Sequence, residues 1–368
     1  MTKQQGISLP AIVFPVLAIA SVLLAAAIGF DAAQPRSMFS LALSAAMIAI
    51  MLGAIFAAVE LADVIAHRVG EPYGTLVLTL AVTVIEVALI ESIVLTPNSP
   101  PALARDTVFA VIMIVCNGLV GLCILVGSLR HHEQEFQVSG ASLYLNVLGA
   151  LSVLTLILPN YTATVVGPFF STAQLSFGSV ITVALYGAFL FIQTSRHTDY
   201  FRAEDNSAPN GANPYPSNRT VAVSVLLLLV ALGGVVFLSK KFAAILEIGL
   251  SHVGAPQAVA GIVIALIVLA PESITAVRAA QNNMLQKSLN LALGSSLATI
   301  GLTIPAVAVT NIALDKPIEI GLSSRDALLL ALTLFLSVLT FASGRTNILA
   351  GLIHLVVFFT FLFLVFVP

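Results

Sequence analysis

Apolar residues along this chain come in long, nearly uninterrupted runs, separated by short clusters rich in charge, proline, glycine and asparagine. The runs lack the strict alternation of half-buried strands, and each is about 20 residues long, the length that carries an α-helix across the hydrocarbon layer of a bilayer. Eleven spans are predicted, at about 9–29, 37–60, 72–95, 107–129, 142–158, 176–195, 220–239, 256–277, 288–311, 325–342 and 346–367. The fifth is short. The first follows a lysine and contains small residues, as a secretory signal would. It is long for a signal core and more spans follow, so it is read as an uncleaved membrane helix.

The most polar connection, RHTDYFRAEDNSAPNGANPYPSNR at 196–219, reads as a flexible linker that divides the chain after the sixth span. A repeat shows across it. LADVIAHRVGEPYGTLVLTLAVTVIEVALIES and FAAILEIGLSHVGAPQAVAGIVIALIVLAPESITA both place VGxP (Val69–Pro72, Val253–Pro256) after a short amphipathic segment. Both then enter an apolar helix with a glutamate in mid-span, Glu86 or Glu272. The expected organisation is an N-terminal helix (1–36), a first five-helix repeat (37–195), the linker (196–219) and a second five-helix repeat (220–368). An odd number of spans per unit inverts one copy against the other, the plan of secondary transporters. The fold class is therefore an all-α polytopic membrane protein of about eleven helices.

Composition agrees. Of the 368 residues 59% are hydrophobic and only 9% charged, against about 25% charged in soluble domains. A net charge of −2 offers no basic face to nucleic acid. Cys116 and Cys123 are seven positions apart on one helix, about 10 Å along its axis, too far for a disulfide, and are read as packing residues. His131 and His132 lie in a polar loop and are read as solvated. His354, in the last span, has no obvious partner in sequence and is expected to be packed or lipid-facing. With the N-terminus in the cytoplasm, nine Lys and Arg fall on the cytoplasmic side and six on the other, which favours that orientation in an inner (plasma) membrane.

An ionised carboxylate at mid-bilayer costs roughly 2.5–3.5 kcal/mol on insertion scales, so Glu86 and Glu272 call for a proton, a cation or a watery cavity. Thr75, Thr79, Thr83 and Glu86 recur at steps of four, four and three and form one stripe of a helix. Glu91 lies about 140° around that helix and nearer its end; it is a secondary candidate whose ordinary reading is an acid near the membrane surface. Glu272 follows Pro271, which removes a backbone donor. A broken helix with free carbonyls is expected there, with Thr275 one turn on; the structural alternative is a packed kink with Glu272 protonated or paired to Arg278. The next helix of each half adds Asn117 with Gly118 and Gly121, and Asn290, Gly294, Ser295, Ser296, Thr299 and Thr303. The glycines read as packing residues, whereas Asn117, Ser295 and Ser296 offer acceptor oxygens. An all-oxygen set with Glu86 and Glu272 as metal ligands suits a hard cation such as Ca²⁺ or Na⁺ and not zinc or copper. No cofactor is expected beyond the transported ions and protons.

PESITAVRAAQNNMLQKSLNLALGSSLATIGLTIP and GEPYGTLVLTLAVTVIEVALI resemble the two repeat motifs of the calcium/cation antiporter superfamily, most closely its cation/proton branch and, within it, the bacterial ChaA-type antiporters of Ca²⁺, Na⁺ or K⁺ against protons. The resemblance covers spans two to eleven. It implies ten core helices in two inverted repeats and a midplane cation site with one acid from each, here Glu86 and Glu272, with Asn117 and Gly294–Ser296 beside them. Many members carry Asn three residues before each acid; here Thr83 and Leu269 stand there. Eukaryotic members often have His after the second acid, where this chain has Ser273. The departures make a less selective site, open to monovalent cations, plausible.

The expected activity is proton-coupled cation antiport by alternating access. Burial in a low dielectric favours the neutral acid and a bound cation favours the ionised one, so the two compete for the same oxygens. The alternatives are Na⁺-driven Ca²⁺ exchange and, from another class, a passive cation channel; an enzyme is disfavoured because no paired-Asp motif or metal-ligand set is present. Glu60, Asp63 and His67, near the first amphipathic segment, raise the question of regulation by pH.

Overall fold

Eleven helical runs match the eleven predicted spans in a computed structural model that describes residues 7–30, 38–70, 73–95, 100–201, 216–314 and 318–367. They are α1 (Leu9–Ala27), α2 (Met38–Val69), α3 (Tyr73–Val94), α4 (Leu103–His131), α5 (Val138–Tyr161), α6 (Thr172–Arg196), α7 (Asn218–Val253), α8 (Ala258–Gln281), α9 (Leu285–Leu314), α10 (Ser324–Phe341) and α11 (Ile348–Phe366). Ten of these runs are long and apolar enough to cross a membrane, and the other, α3, has 22 residues. Pro72, the Thr75 side chain, linker residues 202–215 and the cations Lys3, Arg36, Arg202 and Lys316 lie outside the described residues.

Three expectations need correction. The fifth span is not short: α5 runs for 24 residues, because π and 3₁₀ turns extend it past its regular part. The amphipathic segments before each VGxP are not separate elements. They are the ends of α2 and α7, which run for 32 and 36 residues because no breaker interrupts them. What stops both is the glycine of the motif. Gly70 (φ 77°) and Gly254 (φ 66°) take the left-handed conformation, and the amides of Gly70 and Ala255 return to the carbonyls of Ala66 (2.8 Å) and Leu250 (3.0 Å). A left-handed glycine just past the last turn is a common helix stop. Finally, α8 is one continuous helix through Pro271; the proline takes away the N–H that the Ile267 carbonyl would receive without breaking the rod.

Compaction groups α1, α2, α3 and α7 in one unit and α4–α6 with α8–α11 in another, a partition that follows neither half of the sequence. In the first unit α2 packs along α3 and α7, and α1 packs on α2 and α7. Small residues make that contact close. A Cβ on Gly53 would fall 2.2 Å from the Phe14 ring, and one on Gly234 would fall 2.7 Å from Ala18 Cβ. Ser8 caps α1 by accepting from the Ala11 amide, and also anchors it: its hydroxyl donates to Glu60 Oε2 at 2.8 Å and its amide to Oε1 at 3.2 Å. Lys241 donates to the Phe30 carbonyl just beyond the other end of α1.

In the second unit α4 is the core. Every residue from 107 to 121 is buried, as expected of a helix apolar on all sides. Glycines set its crossings. Gly261 of α8 leaves no room for a Cβ beside the Thr107 amide (2.9 Å), and Gly351 of α11 none beside the Leu125 amide (2.8 Å). Cys116 and Cys123 are buried free thiols within this helix. Where α4 ends, strand β1 (Gln134–Glu135) pairs antiparallel with β2 (Arg345–Thr346), Gln134 opposite Thr346. Gln134 donates to the Ala280 carbonyl (2.9 Å), and His131 Nε2 lies 2.9 Å from the Gln281 carbonyl. A carbonyl only accepts, so Nε2 carries the proton and His131 caps the end of α8. At the start of α4, Arg105 binds Asp106, Glu319 and the Gly321 carbonyl.

Candidate cation and proton site

Two glutamates are buried deep within the apolar helices: Glu86 in α3 is 2% exposed and Glu272 in α8 is 6% exposed. The surroundings of Glu272 follow from the α8–α9 hairpin. Asn283 turns the chain with a φ of 58°, the Met284 amide returns to Ala279 O at 2.9 Å, and one turn into α9 the Ser288 hydroxyl donates to the Ala276 carbonyl at 2.7 Å. The two helices are thus locked side by side, and Ser295, two turns beyond Ser288, brings its hydroxyl to the Glu272 carboxylate. Tyr186 of α6 is buried in the same unit. Its ring lies on Gly301 of α9, where a Cβ would fall 2.7 Å from Tyr186 Cγ.

Glu272 Oε2 and Thr303 Oγ1 have no hydrogen-bond partner among the described residues. A buried carboxylate oxygen in that position is costly unless a proton or cation attends it. Ser296 is fully buried next to the Cys116 thiol. Thr299 hydrogen-bonds the Ser295 carbonyl at 3.0 Å, inside a π-helical segment, Thr299–Thr303. The other helix that follows an acid helix carries a π segment too, Ile114–Leu119, with Asn117 in it. Such segments displace the regular carbonyl ladder and are frequent at functional sites.

The structure therefore brings Glu272 and Ser295 together within one unit. Thr275 turns away: it is exposed, and its hydroxyl bonds the Pro271 carbonyl at 3.1 Å. Arg278 is exposed as well. On α3, Thr83 is buried with its hydroxyl on the Thr79 carbonyl (2.8 Å), Thr79 is half-buried, and Glu91 is half-buried further along. Asn290 ties the first turns of α9 to the end of α6's connection, bonded to the Phe201 carbonyl and to Gln286.

Asn117 is placed differently. Gly118 and Gly121 of α4 lie against Phe358 and His354 of α11, and that close crossing puts His354 on Asn117. His354 is fully buried. Its Nδ1 lies 3.2 Å from Asn117 Oδ1 and its Nε2 lies 3.0 Å from Thr340 Oγ1. The Asn117 amide nitrogen donates to Thr333 Oγ1 at 2.8 Å. The sequence left His354 without a partner; the structure gives it Asn117 and Thr340 at its two nitrogens, with the Cys116 backbone also hydrogen-bonded to the ring. Asn117 stood out in the sequence; Tyr186, Thr333 and Thr340 did not. A polar residue at i and i+7 on α10, Thr333 and Thr340, was the available signal.

A multi-span helical bundle with a buried, hydrogen-bonded carboxylate at depth is the arrangement of an ion carrier. The sodium/calcium exchanger protein family model matches residues 39–195 and 223–367. The chain is 44% identical over 335 residues to the putative ionic transporter y4hA of Sinorhizobium fredii, covering 90% of each. It is 36% identical over 319 residues to the sodium-potassium/proton antiporter ChaA of Escherichia coli, covering 86% of each. Its fold is that of the H⁺/Ca²⁺ exchanger CAX (TM-score 0.70, 16% identity, 95% of this chain and 88% of that one) and of YfkE (0.67, 17%, 97% and 100%). The protein belongs to the sodium/calcium exchanger family.

Proposed function

We propose that this antiporter exchanges cytoplasmic cations, Ca²⁺ and the monovalent Na⁺ and K⁺, for protons by alternating access, with Glu86 and Glu272 as the carboxylates that hold the cation or the proton. The observation that carries the reading is Glu272: a buried acid with one oxygen unpartnered among the described residues and the Ser295 hydroxyl beside it. Such a group is neutral when protonated, or ionised when a hard cation sits on it, and the two states exclude each other. Glu86 takes the same role from its matching place after the first VGxP. Leu269 and Thr83, where many relatives carry Asn, remove side-chain amide ligands. That relaxes the demand for a divalent ion, and the 36% identity to a sodium-potassium/proton antiporter supports it. The protein acts in the inner membrane, N-terminus in the cytoplasm.

The test is exchange in inside-out vesicles with an imposed pH gradient. E86Q and E272Q are each expected to abolish the collapse of the gradient on adding Ca²⁺, Na⁺ or K⁺. Normal exchange in either variant removes that acid from the site. Flux that persists without any counter-ion would instead indicate a channel.

A further inference from the structure

His354 takes no part in the chemistry assigned to the two glutamates, yet it is fully buried and hydrogen-bonded on both sides. The directions of the bonds around it can be fixed in sequence. The Leu329 carbonyl only accepts, so the Thr333 hydroxyl, 2.8 Å away, donates to it. Thr333 Oγ1 then accepts from Asn117 Nδ2 at 2.8 Å. This turns Asn117 Oδ1 toward His354, whose Nδ1 must carry the proton to bond it at 3.2 Å. His354 Nε2 is left with a lone pair, and the Thr340 hydroxyl donates to it at 3.0 Å. One polarised chain thus joins α11, α4 and α10. Asn117 keeps in hand a second lone pair on Oδ1, while its amide protons are directed to Thr333 and, more weakly, to Met113 Sδ at 3.8 Å.

We propose that His354 is a positioning residue for the cation site: its Nδ1–H holds the Asn117 amide in the orientation that offers oxygen, and not N–H₂, to a cation. The inference rests on the reading of Asn117 as a cation ligand. In the flipped orientation the amide would present donors to a positive charge and the Thr333 contact would set hydroxyl against oxygen. Gly121 and Gly351 are part of the device, because a Cβ on Gly121 would meet both the Gly351 carbonyl and His354 Cβ at 3.0 Å and hold the imidazole away.

The experiment is cation-driven proton efflux in reconstituted vesicles, with Vmax and KM measured for Na⁺ and Ca²⁺ separately. H354L removes both hydrogen bonds. H354N keeps an N–H donor close to the position of Nδ1. H354L is expected to raise the cation KM about tenfold, the size of one hydrogen bond to a charged or polarised group, with Vmax changed far less. H354N is expected to restore most of that affinity. A merely structural histidine would lower Vmax through loss of folded protein and would leave both KM values unchanged. In N117A the KM should rise and H354L should add nothing further. If N117A raises KM and H354L does not, the inference falls and the ligand reading stands. If N117A leaves KM unchanged, the ligand reading falls and takes the inference with it. Should H354L not be recovered folded, H354F, which keeps a ring in the same space and loses the Nδ1 donor, serves in its place: a raised KM supports the proposal and an unchanged one overturns it.

Discussion

At the scale of single residues, the chemistry concentrates on carboxylate and hydroxyl oxygens that have been taken out of water. Ser295 beside Glu272 is the clearest pair. Its hydroxyl donates to the ionised acid, and a hydrogen bond to a charged group contributes about 1.5–3 kcal/mol. S295A is therefore expected to raise the cation KM about tenfold or somewhat more while leaving the fold intact, measured by the same vesicle exchange beside a thermal melt. An S295A protein with parental KM would show that the hydroxyl does not attend the ion-binding state. Much of this was legible in the chain. A glutamate in an apolar run cannot be explained by packing, so Glu86 and Glu272 stood out at once. Ser295 could be marked only as an oxygen on a helix of the right class, since nothing in its neighbours says which acid it meets. Tyr186 and the bonds that join His354 to Asn117 and Thr340 could not be found, because their meaning lies in contacts between helices.

At the scale of elements, the VGxP motif shows how a local signal is read rightly in kind and wrongly in extent. Glycine and proline marked a boundary, and a boundary is there. The amphipathic stretches before it belong to the membrane helices, because polarity does not end a helix; the positive-φ glycine does. Gly70 and Gly254 have open space where a Cβ would go, so G70A and G254A carry backbone strain without a clash, about 1–2 kcal/mol each. Each single variant is expected to lower the apparent melting temperature by a few degrees, and the double variant by roughly the sum, since the two caps end different helices. An unchanged melt in both would mean that the left-handed caps are not held in the membrane. The same overreading of a single residue produced the expected break at Pro271: one missing hydrogen bond perturbs a helix, yet α8 runs on through the proline with Ala265, Val268 and Ala276 buried on either side of it.

Over the whole molecule, the count of spans was readable because length and hydropathy decide it, whereas the grouping into a four-helix and a seven-helix unit was not, because it depends on which glycines meet which backbones. The interior of the seven-helix unit makes a direct prediction. Cys116 and Cys123 are each about 1% exposed along α4, so neither thiol should react with a membrane-permeant maleimide in the native protein, and both should react after denaturation. G351V places side-chain atoms where even a Cβ would be 2.8 Å from the Leu125 amide, so it should separate α11 from α4 and expose the thiols to labelling, read by mass spectrometry. Protection as complete as in the parent would show that this crossing tolerates bulk.

The wrapping of α4 also bears on how the protein is made. Asn117 emerges from the ribosome 216 residues before Thr333 and 237 residues before His354. Until α10 and α11 have entered the bilayer, its amide has neither of those companions, and the most enclosed helix of the finished protein is an unfinished wall. Completion of the cluster is thereby tied to a helix inserted late: α11 supplies the imidazole that finishes a polar group begun on α4.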